Sequence, residues 1–491
     1  MTRRAHHLVR AALCALALCL AHDAARAQDD HREPPAPTPP SADATATGPI
    51  GRSIAAASDH AVLRIPAGVH HERLRIDRPI TLEAEPGAIL DGGGSGDIIE
   101  ILAPDVTIRG LTLRNTGIDL DRENVAIRVN AARCTIESCV LQDVLFGIDL
   151  REAPDSIIRG NTIGGKDLDI ARRGDGLRLW RSDRTLVEGN TLHDGRDAIL
   201  WYSKGVVVRG NASHDCRYGL HLMFSDEVTI EGNTLAGNSV GVYLMYSTDV
   251  TIRMNRLMSN RGPSGYGIGL KETDRYEVRD NIITGNRVGV YIDGSPLTGA
   301  TPGVFERNTI AFNDIGMTFL PSARNNQMTR NNFIDNIDQV SVAGRGTLDA
   351  NKFWKDDTGN YWSDYTGYDE DRDGVGDFVH ESQTLFESMM DRDPALRLFL
   401  FSPAQQAIEF VGRAIPAIRP EPKFTDEVPL MRPVPIGLVN QPTHSALASL
   451  AATGAGMIAL AAAIAGLARP FVSDAHSHVP ARVDAPQESR P

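Results

Sequence analysis

Val206-Val207-Val208-Arg209-Gly210-Asn211, Val228-Thr229-Ile230-Glu231-Gly232-Asn233 and Val250-Thr251-Ile252-Arg253-Met254-Asn255 are three copies of one phrase, spaced 22 residues apart. Each copy is a short run of β-branched residues closed by a turn former. Shorter relatives of it stand at Arg159-Gly160-Asn161, Glu188-Gly189-Asn190, Arg279-Asp280-Asn281, Glu306-Arg307-Asn308 and Thr329-Arg330-Asn331. Self-similarity at a fixed short period is the mark of a solenoid, because strands this short cannot bury a face alone and must stack coil on coil. The period is too short for propeller blades, and the Leu-x-Leu frame of leucine-rich repeats is missing. The fold class read from the chain is therefore all-β: a right-handed single-stranded parallel β-helix with a partly helical C-terminal tail. The recurring Asn is expected to stack in a ladder, so Asn190, Asn211, Asn233 and Asn255 should lie in register. The right hand rests on the general rule for parallel crossovers. Two intervals lengthen to 26 and 27 residues, at Asn281 and Asn308, and the Gly-rich inserts 261–265 and 293–296 supply the extra length as loops.

Upstream, Arg3, Arg4 and Arg10 precede an apolar run from Ala11 to Ala21 and then Ala25-Arg26-Ala27, the form of a secretory signal with its cleavage site. Residues 1–27 are read as a signal peptide and 28–57, rich in Pro, Ala, Thr and Ser, as a disordered leader. The β-helix is expected over 58–355. Cys134, Cys139 and Cys216 remain after cleavage, too few for a disulfide framework, so the core must hold the fold. A net charge of -13 argues against a nucleic-acid partner.

Residues 356–381 read as an aromatic cap followed by an acidic turn. Asn360-Tyr361-Trp362-Ser363-Asp364-Tyr365 brings large rings to the open end of the core. Asp369, Asp371, Asp373 and Asp377, with Gly374 at the turn, reproduce the first half of a calcium loop, for which structural Ca²⁺ is the implied ligand and a solvated acidic turn the alternative. His380 occupies the place of the bidentate Glu, which argues against an EF-hand. Residues 382–443 form an apolar tail that Pro394 and Pro403 divide into short segments, with Leu385, Phe386, Leu398, Phe399, Phe401 and Phe410 as candidate partner-docking residues. Residues 444–469 contain an uncharged Ala/Leu-rich stretch that reads as a transmembrane anchor, with a docking helix as the alternative, and 470–491 reads as a disordered end.

Candidate chemistry sits on the middle coils. Trp201-Tyr202-Ser203, Met223-Phe224-Ser225 and Met245-Tyr246-Ser247 occupy equivalent places, and His221 lies two residues before Met223. Residues two apart on a strand share a face. His221, Met223 and Met245 thus form a soft-metal set suited to copper, the thioethers selecting Cu(I), while plain packing by methionine is the competing reading. A second column, His193, His214 and Met258, begins three residues after each repeat Asn. An enzyme reading rests on Asp167, Asp169, Arg172, Arg173, Asp175 and Arg178, with Asp194, Arg196 and Asp197 on the next coil, which could hold or deprotonate a uronate polymer. Alternating charge on an exposed solenoid face explains the same residues without chemistry.

Tyr218-Gly219-Leu220-His221-Leu222-Met223-Phe224-Ser225, Gly241-Val242-Tyr243-Leu244-Met245-Tyr246-Ser247, Gly174-Asp175-Gly176-Leu177 with Trp180, and Asn360 to Tyr365 ahead of the acidic turn resemble the NosD family, the periplasmic copper-binding proteins of nitrous-oxide reductase maturation. The resemblance implies a non-enzymatic protein associated with the inner membrane, which binds copper transiently and hands it over. Its implied partners are an ABC transporter permease with its ATPase, a copper donor chaperone and nitrous-oxide reductase. A polysaccharide-binding protein or a uronate-polymer lyase or epimerase is the alternative.

Overall fold

The computed structural model describes residues 48–436 except 345, 383, 384, 401, 416, 417 and 419. Three parallel sheets run the length of the solenoid. The first has 12 strands from Val62–Ile65 to Asn326–Thr329, the second 13 strands from Gly68–His70 to Tyr361–Trp362, and the third 12 strands from Leu74–Ile76 to Asp338–Val342. Each coil contributes one strand to each sheet, and every neighbour pair within these sheets is parallel, as in Val207–Arg209 against Thr229–Glu231.

Within a strand, alternate side chains enter the core: Ile230, Leu235, Leu244, Ile252, Leu257 and Leu270 are all buried in one continuous cluster. The repeat phrase has a backbone cause. The residue before each repeat Asn holds a left-handed conformation, which Gly supplies without strain at Gly210 and Gly232 (φ +63° in both). Met254 takes the same conformation at φ +55°, a cost that neighbouring coils hold in place.

The expected Asn ladder is present. Asn190, Asn211, Asn233 and Asn255 are buried, and each side-chain amide bonds to the next coil at 2.9–3.0 Å. A second ladder through Asn238, Asn260, Asn286 and Asn313 turns the next corner in the same way. Ser182, Ser203, Ser225 and Ser247 bond the third corner, the backbone N–H of each of the first three donating to the hydroxyl one coil on.

Both ends are closed. Order starts earlier than the leader reading allows: Pro49–Ala56 is an α-helix, not part of a disordered segment. Ile50 and Ile54, one turn apart, are buried against the first coil, and the Glu72 carboxylate accepts the Ile50 and Gly51 amides at 3.0–3.2 Å. At the other end Trp362 stacks on Phe333 with centroids 4.2 Å apart, and Phe424 covers both Trp362 and Phe353. Asp426 fastens this cap by accepting from Trp362 Nε1 at 2.9 Å and from the Asn360 amide at 2.8 Å.

The tail divides at its prolines into an α-helix Leu385–Arg392, a 3-10 turn Pro394–Phe399 and an α-helix Pro403–Ala414. Leu398, Phe399 and Phe410 stand exposed, Leu398 at 87% and Phe410 at 71%. Phe386 corrects the docking set: it is buried with Met390 and belongs to the packing of the first tail helix. Leu385 is half-buried, and Phe401 lies outside the described residues. Among the described residues no helix is long and apolar enough to cross a membrane. The span expected at 444–469 falls outside them.

Candidate functional site

The third sheet's outer face carries the least expected side chains. Because Leu220, Leu222 and Leu244 point into the core, His221, Met223 and Met245 face outward. His221 pairs across coils with Tyr243, and Met223 with both Trp201 and Met245. Ile199, Met223 and Met245 form a buried apolar cluster separate from the solenoid core, flanked by Trp201, Phe224, Tyr243 and Tyr246. Strand stacking alone, at about 4.8 Å per coil, produces this meeting of residues distant in sequence.

His221 Nε2 lies 3.4 Å from Met245 Sδ. Its Nδ1 lies 3.3 Å from Asp197 Oδ2. Burial would raise the Asp197 carboxyl, but hydrogen bonds from His221 and Arg217, with the Arg217 charge, outweigh it and hold the group well below the usual carboxylate range. An ionised carboxylate only accepts, so Nδ1 donates to Asp197 and the other ring nitrogen, Nε2, is left facing Met245 Sδ. Tyr218 meets the same imidazole edge-on, 4.9 Å between centroids, and Arg217 lies over the Tyr218 ring.

This donor set suits a soft ion. A separation of 3.4 Å is what one nitrogen and one sulfur show when they share an ion at bond lengths of about 2.0 and 2.3 Å near the tetrahedral angle. Thioether is a soft ligand that selects Cu(I), imidazole serves either oxidation state of copper, and the aromatic surround keeps water away. His221, Met223 and Met245 are each about 5% exposed, so the cluster is covered, and access requires movement of the aromatic side chains around it.

The sequence reading missed Asp197 as the partner of His221. It also missed the corner where Tyr202, Phe224 and Tyr246 stack at 5.0 and 4.9 Å, each in a left-handed turn position. The Trp-Tyr-Ser, Met-Phe-Ser and Met-Tyr-Ser triplets were the signal for that corner.

The second column is only partly assembled. His193 and His214 are direct cross-coil partners with parallel rings, 5.4 Å between centroids and 5° between planes. Each Nδ1 is 2.8 Å from the following aspartate, Asp194 or Asp215. Parallel stacked rings direct their lone pairs side by side, so the pair does not converge on one ion. Met258 stands two coils beyond His214 with Ala236 between, and the structure does not bring it to the histidines.

Asp175 and Asp197, from the polysaccharide cluster, are buried and paired with Arg196 and Arg217. Arg178 is spent on Asp149 and Glu123 at 2.7–3.0 Å. Asp167, Asp169 and Arg172 sit on an exposed loop. Asp194 lies 3.8 Å from Arg173. Asp175, Asp194 and Asp197 are thus held in a salt-bridged wall, while the Asp167 and Asp169 carboxylates stand exposed on the loop beside it.

In the acidic turn, ligand oxygens of Asp369, Asp371 and Asp373 lie within 4.8 Å of one another. They already accept backbone amides: Asp369 those of Asp373 and Gly374, Asp371 that of Asp373, and Asp373 that of Val375, at 2.7–3.2 Å. Asp377 is turned to the Glu370 amide and stands apart from the trio. Side-chain-to-backbone bonds of this kind account for the turn without an ion.

Comparison with known proteins places this geometry. The family model described as "Periplasmic copper-binding protein (NosD)" matches residues 159–367, which contain the His221, Met223 and Met245 face. The chain is 34% identical over 383 residues to the "Probable ABC transporter binding protein NosD" of Pseudomonas aeruginosa, covering 75% of this chain and 87% of that protein. It is 31% identical over 386 residues to the protein of the same description from Stutzerimonas stutzeri, covering 75% and 86%. Among solved structures, the A-module of the Azotobacter vinelandii mannuronan C-5 epimerase AlgE6 superposes with a TM-score of 0.51 over 62% of this chain and 92% of that one, at 14% identity. At that identity the likeness is one of fold. With a relative above 30% identity, most of whose length is covered, the chain belongs to the NosD family.

Proposed function

We propose that this protein is a periplasmic, non-catalytic copper carrier that works beside an ABC transporter in assembling the copper centres of nitrous-oxide reductase. Copper is its cargo, held as Cu(I) by His221, Met223 and Met245 and passed on. The observation that carries the reading is the 3.4 Å approach of His221 Nε2 to Met245 Sδ, with Met223 in the adjacent rung of the same covered cluster. Family membership supports the setting, since the relatives are described as transporter-binding and the family as copper-binding. Few soft ligands on a rigid face give an affinity that a better-furnished recipient site can overcome. A copper donor chaperone upstream and the reductase downstream complete the path.

The exposed Leu398, Phe399 and Phe410 supply an apolar surface for the transporter permease with its ATPase. The uncharged stretch at 444–469 would keep the protein at the inner membrane.

A competition titration with a Cu(I) chelator under anaerobic, reducing conditions tests the carrier role. The Met223→Ala/Met245→Ala double variant is expected to lose Cu(I) affinity at least about tenfold, with the β-helix fold and transporter co-purification retained and the melting temperature lowered by the loss of two buried side chains. Equal affinities would assign those methionines to packing and remove the copper site from this face.

A further inference from the structure

One column on the outer face of the third sheet runs Ile199, His221, Tyr243, Gly269, Tyr291 and Thr318, one residue per coil. Gly269 alone among them offers no side chain. It lies inside the strand Tyr266–Lys271 with no left-handed backbone that would call for glycine. A neighbour occupies its place: a methyl carbon added at Gly269 would stand 2.3 Å from Cδ2 and 2.6 Å from Cε2 of Tyr243, and 3.2 Å from Cδ2 of Tyr266. The Tyr243 ring thus lies across the bare backbone of Gly269.

That position draws the ring away from His221. Direct cross-coil ring partners elsewhere stack closely, Phe333 on Trp362 at 4.2 Å and His193 on His214 at 5.4 Å between centroids. His221 and Tyr243 are direct partners too, and near-parallel at 19°, yet their centroids stand 6.1 Å apart. Met245 lies two residues beyond Tyr243 on the same strand and the same face, so the imidazole must pass the Tyr243 ring to bring Nε2 within 3.4 Å of the thioether. The withdrawn ring leaves room for that reach.

We propose that Gly269 is a positioning residue of the copper site: it gives the Tyr243 ring a berth and so lets His221 reach Met245. The inference rests on the carrier reading of His221, Met223 and Met245. A carbon 2.3 Å from a ring carbon is far inside the contact distance of about 3.5–4.0 Å, so any side chain at position 269 forces the ring to move. Tyr218 and Tyr266 bracket the ring edge-on, at 5.6 and 6.3 Å between centroids, and the widened gap lies on the His221 side. Alanine accepts this backbone and is less free than glycine in the unfolded chain, so Gly269→Ala acts on the ring and spares the strand.

A double-mutant cycle on the full chain tests the assignment, with Gly269→Ala, Tyr243→Ala and the two combined. Two quantities are read: Cu(I) affinity by chelator competition and, on metal-free protein carrying isotope-labelled histidine, the His221 ring resonances, identified by their loss in His221→Gln. Gly269→Ala alone is expected to lower Cu(I) affinity about tenfold or more and to shift the His221 resonances. In the Tyr243→Ala background, where no ring needs the berth, adding Gly269→Ala is expected to change affinity by less than about twofold and to leave the resonances in place. Wild-type Cu(I) affinity in Gly269→Ala, His221 resonances that do not move, or an equal loss in both backgrounds would each overturn the proposal. If the wild type binds no Cu(I) while the His221 resonances show the coupling, the carrier reading fails and the placing of His221 by Gly269 stands.

Discussion

Asn233→Ala removes one rung of the ladder that joins the coils. The Asn233 Oδ1 accepts from the Asn211 amide at 2.9 Å and from Asn211 Nδ2 at 3.0 Å, while its own Nδ2 donates to Val208 O at 3.0 Å and Asn255 Oδ1 at 2.9 Å. Four buried hydrogen bonds vanish, at about 0.5–1.5 kcal/mol net for each, and the Asn211 N–H is left buried without an acceptor. A loss of about 3–5 kcal/mol follows, concentrated on the coils carrying Asn211, Asn233 and Asn255, because a solenoid's stability is a sum of neighbour terms. Hydrogen exchange followed by mass spectrometry reads it directly, as faster exchange in peptides spanning 205–235 and unchanged exchange near 62–110. Arg209→Ala, which breaks only an exposed pair with Glu188, should cost less than about 1 kcal/mol. An Asn233→Ala variant as protected as the wild type over 205–235 would refute the ladder as the element that fastens the coils.

Burial pushes the thiols of Cys134 and Cys139 up to about 11 and that of Cys216 to about 12, so all three should resist a thiol reagent at pH 7.5 in the folded protein and react once urea unfolds it. Burial likewise lifts Asp338 to about 7, above its unfolded value; its protonated form therefore stabilises the fold fully at low pH, and this contribution is lost as pH rises through 7. Thermal melts of Asp338→Asn should accordingly match the wild type at pH 5 and exceed it by a few degrees at pH 8, and a difference equal at both values would contradict the assignment. Phe410→Asp, at a side chain 71% exposed, should leave the melting temperature within about 2 °C while lowering recovery with the transporter from membranes; unchanged recovery would place the docking surface elsewhere.

Much of the fold was legible because the period is short and fixed. The ladder of Asn190 to Asn255, the loops at 261–265 and 293–296, and the aromatic closure at Trp362 follow from spacing and residue type alone. The helix Pro49–Ala56 was not legible, since its composition is that of a leader and only the open end of the core gives Ile50 and Ile54 somewhere to pack. Phe386 and Phe410 look alike in sequence, and packing of the first tail helix separates them, one buried and one exposed.

The candidate site was readable as far as the period reached. Met223 and Met245 differ by one repeat and meet as expected. Met258 shares a column with His214, but one rung, carried by Ala236, stands between them and keeps the thioether from the histidines. Asp197 reaches His221 across a shift in strand register, a displacement that no count of residues reveals. Asp338 and Lys423 meet only because the chain returns over the cap.

X-ray absorption at the copper edge on protein loaded with one equivalent of Cu(I) tests the central claim most directly. One nitrogen scatterer near 2.0 Å and one or two sulfur scatterers near 2.3 Å, with the sulfur signal lost in Met223→Ala/Met245→Ala and the nitrogen signal altered in His221→Ala, are the expected result at about those distances. A first shell of nitrogen and oxygen alone, or a sulfur signal that survives both variants, would contradict the proposal that this face carries the copper.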